Sequence, residues 1–71
     1  MKYIVVELQT ASDGTVANIV TSHDDVNQAE SKYHQVLSAA AVSQVPKHAA
    51  VLIDSVGGFM AAQCYEHGGG E

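Results

Sequence analysis

The chain opens with a two-residue alternation. From Lys2 to Gln9, Ile4, Val6 and Leu8 fall on one side of an extended segment and Tyr3, Val5 and Glu7 on the other, which predicts a strand. Ala11-Ser12-Asp13-Gly14 follows. Asp-Gly between apolar runs signals a hairpin, because glycine takes positive φ freely and aspartate bonds its own backbone. Thr15 to Thr21, rich in β-branched residues, reads as the returning strand.

At Ser22-His23-Asp24-Asp25 the period changes. Asp25 with Gln28 three residues on fits a capping box, and acids suit the positive end of a helix. Val26, Ala29, Tyr33, Val36, Leu37 and Ala40 then recur on one face, with Asn27, Glu30, Lys32, His34, Gln35 and Ser38 opposite. The spacing predicts an amphipathic helix from about Val26 to Val42. Ala39, Ala40 and Ala41 favour that helix and permit close approach to a sheet. Pro46 closes the connection after the helix, since it has no N–H and restricts Val45. His48 to Asp54 carries the unbroken apolar run Ala49-Ala50-Val51-Leu52-Ile53, the mark of a strand covered on both faces. Ser55-Val56-Gly57-Gly58 is the next turn, and Phe59 to Tyr65 the fourth strand.

The fold class is therefore α+β, ββαββ, with a four-stranded antiparallel sheet and one helix packed on one face. A right-handed crossover that skips one position brings strand three parallel to strand two with strand one between them. The preferred order is 2-1-3-4, ahead of 1-2-3-4 and 2-1-4-3, because it makes every pair antiparallel and centres the two most apolar strands. The helix is expected to pack through Ala29, Tyr33, Val36, Leu37 and Ala40 onto Ile4, Val6, Val51 and Ile53. Tyr3, Val5, Ala50 and Leu52 then face the other way.

Length and charge narrow what such a fold does. Seventy-one residues make one domain, read as residues 1–67 with a flexible tail at 68–71. A chain of this size buries only about 60% of its unfolded surface. One cysteine allows no internal disulfide. Three basic residues, Lys2, Lys32 and Lys47, stand against eight acidic ones for a net charge of −5. That balance opposes nucleic acid and anionic membrane surfaces. The first apolar run stops at Glu7, too early for a signal peptide, and no window is long enough for a membrane-spanning helix. The expected location is cytoplasmic, with Cys64 reduced.

Candidate chemistry is sparse. Four histidines, His23, His34, His48 and His67, and the C-x-x-H spacing of Cys64 and His67 suggest a metal, but a closed zinc site needs about four ligands in two pairs. No metal or other cofactor is expected, and Cys64 reads as a small core residue. His34 and His48 are candidates for an acid/base couple, although His34 lies on the polar helix face. Asp25 capping accounts for His23-Asp24-Asp25. Gly57-Gly58 joins two strands and opens no helix, so it cradles no phosphate. No nucleophile stands beside a base.

The stretch Tyr33-His34-Gln35-Val36-Leu37-Ser38-Ala39-Ala40-Ala41-Val42-Ser43, with Val45-Pro46 and His48-Ala49-Ala50-Val51-Leu52, resembles short uncharacterised proteins of gut bacteria and their phages. The resemblance spans the helix and third strand and, more loosely, the first hairpin. It implies a phage or mobile-element accessory protein and carries no catalytic motif.

The leading expectation is a small non-enzymatic interaction or assembly module. It would be a homodimer joined through the helix-free sheet face by Tyr3, Val5, Ala50 and Leu52, since a sheet apolar on both sides calls for a cover. The alternatives are a metal- or ligand-binding protein using His34, His48, Cys64 and His67, and a minor enzyme with a site between subunits.

Overall fold

Alternation and turn chemistry produce the expected elements in the computed structural model, which describes residues 2–67. They are β1 (Tyr3–Thr10), β2 (Val16–His23), α1 (Val26–Ala41), β3 (Lys47–Asp54) and β4 (Phe59–Glu66). The expected tail, 68–71, lies outside the described residues. The four strands form one sheet in the order β2-β1-β3-β4, every neighbouring pair antiparallel. This is the ββαββ architecture expected from the pattern. The second strand runs on to His23, past the expected end at Thr21, because Tyr3 pairs with His23 across the β1–β2 ladder.

The two hairpins share one turn. Gly14 N–H donates to Ala11 C=O at 3.0 Å and Ala11 N–H to Thr15 C=O at 2.8 Å. Gly57 N–H donates to Asp54 C=O at 3.1 Å and Asp54 N–H to Gly58 C=O at 3.0 Å in the same way. Gly14 and Gly57 take φ of +91° and +88°, the glycine position of a three-residue hairpin loop. Asp54 reinforces the second turn, its Oδ1 accepting from Val56 N–H at 3.0 Å and Gly58 N–H at 2.7 Å. A Cβ at Gly57 meets nothing within 4 Å, so Gly57→Ala is opposed by backbone conformation alone. The substitution is expected to cost about 1 kcal/mol, read as a lower denaturant midpoint; an unchanged midpoint would show that the turn relaxes around alanine.

Asp25 caps α1, accepting from Asn27 N–H at 2.9 Å from an extended backbone. At the other end Val42 and Ser43 N–H groups bond to Ala39 and Ala40 C=O. The helix buries Ala29, Tyr33, Val36, Leu37 and Ala40, the face its periodicity predicts.

The sheet side of this packing is the reverse of the expectation. The core joins Ala29, Tyr33, Val36 and Leu37 to Val5, Ala50 and Leu52, with Tyr3, Ala61 and Tyr65 packed against it. Tyr3, Val5, Ala50 and Leu52 therefore lie under the helix, and Ile4, Val6, Val51 and Ile53 face away from it. The reason lies in Glu7. It shares a face with Tyr3 and Val5, which makes that face read as the solvent side. In the fold its carboxylate is paired instead with His48, whose side chain is 5% exposed. The acid therefore tolerates the helix side. Ala50, wholly buried, gives α1 room to sit close.

Candidate functional site

Two features stand out: a polar chain at one end of the core, and the uncovered face of the sheet.

The polar chain arises from register. Gln9 lies opposite His48 and Glu7 opposite Ala50, so His48, Glu7 and Gln9 share the helix side of the sheet. His48 Nε2 lies 2.6 Å from Glu7 Oε2, and Gln9 Nε2 donates to the same oxygen at 2.9 Å. A carboxylate only accepts, so Nε2 carries the proton. In neutral His48, Nδ1 then accepts from the Ser43 hydroxyl, 2.9 Å away. Ser43 Oγ is also held by Val45 N–H at 3.3 Å. Burial pushes Glu7 up. The hydrogen bonds from His48 and Gln9, with the charges of His48 and Lys32, outweigh it and hold the carboxyl below the ordinary glutamate value.

This order of hydroxyl, imidazole and carboxylate is that of an activated nucleophile. Its packing is tight. His48 is 4% exposed, and Ser43 Oγ is bound into its own loop, so the chain ties β1, β3 and the α1–β3 connection together. Among the described residues no buried side-chain nitrogen or oxygen lacks a partner.

The remaining candidates are not brought together. Cys64 is exposed and lies opposite Ala49, on the face away from α1. It is not a core residue, because it points to the face that α1 leaves uncovered, unlike Ala61 and Tyr65 of the same strand. His67 sits on the other side: Nε2 lies 2.7 Å from Ala40 C=O and its ring stacks on Tyr65. It adds a second partner to a carbonyl at the end of α1 that Ser43 N–H also reaches. His34 is exposed and meets Tyr33 edge-on, while both nitrogens of His48 are engaged by Ser43 and Glu7. His23 ends β2 beside Thr21 Oγ1 at 3.0 Å, and Asp24 pairs with Lys2. Among the described residues no three His, Cys, Asp or Glu side chains cluster as metal ligands. No described helix is long and apolar enough to cross a membrane.

The uncovered face is larger. Directly opposed residues point to the same side, so the pairings Val6 with Val20 and with Val51, and Val51 with Ala62, form one row across the sheet. Parallel rows carry Ile4 and Ile53, and Leu8 and Ala49. Val20 and Val16 are 56% and 53% exposed. Within the strands the charges on this side are Lys47 and Glu66, opposite one another at one end, and the Lys2–Asp24 ion pair lies just past the other end of the β1–β2 ladder. A shallow groove of about 340 Å³ beside the first hairpin, lined by Gln9, Ala17, Val45 and Pro46 among others, carries no titratable side chain.

No protein-family model, curated protein or solved structure significantly matches this chain.

Proposed function

We propose that this domain is a non-enzymatic assembly module that binds a second copy of itself through the sheet face opposite α1. The carrying observation is an apolar, almost uncharged face on a protein of net charge −5. Ile4, Val6, Leu8, Val20, Val51 and Ile53 line it, while Asp13, Asp24, Asp25 and Glu30 belong to the turn, the connection and the helix. Two acidic copies repel over most of their surface and least over this face. Apolar centres depleted of charge are typical of interface cores. Four strands about 4.8 Å apart and eight residues long give a footprint of roughly 500 Å² per copy. Two copies then bury about 1,000 Å², the lower bound for a specific interface. A two-fold arrangement sets the same patch against itself.

Val51→Glu tests this reading. The side chain is half-buried and points away from the helix, so the fold tolerates it, while like charges meet across the two-fold. Light scattering is expected to show the variant at half the wild-type mass with the circular dichroism unchanged. Equal masses, or a monomeric wild type at millimolar concentration, would sink the proposal.

A further inference from the structure

We infer that β2 is a second self-pairing surface: its free edge takes the β2 of another copy, antiparallel, and extends the sheet from four strands to eight. The inference is independent of the open-face contact, because it uses backbone groups in the plane of the sheet.

β2 is a terminal strand, and all eight of its residues pair in unbroken register with β1. Ala11 N–H donates to Thr15 C=O, which places the next hydrogen-bonded pair at Gln9 and Ala17. Alternation along an antiparallel ladder then gives β1 the backbone groups of Ala17, Ile19, Thr21 and His23. The N–H and C=O groups of Val16, Asn18, Val20 and Ser22 point outward from the sheet.

Such an edge is a template for another strand unless something blunts it. The other edge is blunted: between Leu52–Ala61 and Ile53–Phe59 the β3–β4 register slips past Met60, and β4 ends in Glu66. β2 has no bulge, no proline and no Asp, Glu, Lys or Arg. It also carries three of the exposed bulky side chains, Val16, Ile19 and Val20, each more than half exposed. Ile19 is on the helix side and the valines on the open side, so an added strand covers apolar surface on both faces. α1 packs mainly over β1 and β3, which leaves the edge clear.

The occupant is set by charge. An uncharged edge on an acidic chain offers no complement to a charged peptide, whereas a second β2 brings no charge to repel. A two-fold axis through Val20 sets Val20 against its own copy, Ile19 against Thr21 and Asn18 against Ser22. Each facing pair then shares a side of the sheet, and the outward groups of Val20 bond to one another.

Two variants and one exchange measurement test this. Asn18→Pro removes an outward N–H that β1 does not use. Ile19→Lys puts a charge on the edge, on the helix side and away from the open face. Either variant is expected to halve the wild-type mass. Amide exchange at Val20 and Ser22, slow in wild type, is expected to become about tenfold faster or more in Ile19→Lys. With both surfaces in use the wild type is a tetramer, Val51→Glu leaves the edge dimer, and Ile19→Lys leaves the open-face dimer. If Val51→Glu does not change the mass but Ile19→Lys halves it, the edge stands and the open-face reading falls. Wild-type amides at Val20 and Ser22 that exchange freely at every protein concentration would overturn the inference and leave an extended segment of another protein as the partner. So would folded variants whose masses equal that of wild type.

Discussion

Leu52→Glu is expected to unfold the domain, while Val51→Glu, one residue away, leaves it folded. Leu52 is 3% exposed and belongs to the cluster with Tyr33, Val36 and Leu37. Truncating a buried leucine costs about 2–5 kcal/mol, and a carboxylate in its place adds the penalty of an unpaired buried charge. Domains are held together by about 5–15 kcal/mol, and one of this size belongs at the low end. Val51 points to the uncovered face, where the new carboxylate reaches water in a single copy. Circular dichroism melts decide between the two faces. A cooperative Leu52→Glu melt near the wild-type midpoint would mean that α1 covers the other side of the sheet.

That contrast marks where the sequence is legible. Each element announces itself: alternation in Ile4, Val6 and Leu8, helical recurrence in Tyr33, Val36, Leu37 and Ala40, and turn chemistry at Asp13-Gly14 and Gly57. Strand order comes from crossover handedness and antiparallel pairing. Neither says which face of the sheet lies under the helix. Periodicity sorts a strand into two sets without orienting either, and β1 and β3 are apolar on both. The single polar cue, Glu7, points the wrong way, because its partner lies 41 residues on.

The polar chain is legible only in combination. His48 by itself is a lone histidine at a strand start, no more prominent than His34. Ser43 carries no signal as a loop serine. The order 2-1-3 makes β1 and β3 neighbours, and it is their register that sets His48 opposite Gln9 and diagonal to Glu7. The edge is less visible still. An uncharged β2 can be read from Val16 to His23, but the interrupted β4 ladder that makes β2 the unprotected edge depends on a bulge at Met60, and no proline or glycine marks it.

His48→Ala is expected to cost about 2–3 kcal/mol at neutral pH, below the 3–5 kcal/mol of a fully buried broken pair, because the Glu7 side chain keeps 17% of its surface exposed. The loss has three parts: a carboxylate left with Gln9 as its hydrogen-bond donor, a Ser43 hydroxyl proton without its acceptor and the space of the ring. Glu7→Gln keeps an acceptor for His48 Nε2 and removes the charge, so its cost is smaller, and a double-mutant cycle isolates the coupling. The pH profile separates this pair from simple packing. Glu7 titrates lower in the folded chain than in the unfolded one, so folding favours its ionised form. Its contribution is complete above the unfolded value of about 4.3 and is lost as pH falls through the folded value. In His48→Ala the burial that raises Glu7 remains and the leading group that lowers it is gone. The acid side of the stability curve should therefore flatten relative to wild type. Asp13 and Asp24, held low by hydrogen bonds from Thr15 and Lys2, give both proteins an acid limb of the same sign, so the difference between the two curves reports the Glu7–His48 pair. Denaturant melts of wild type and His48→Ala from pH 7 to pH 3 measure it. Parallel curves would mean that His48 acts at this position by filling space alone.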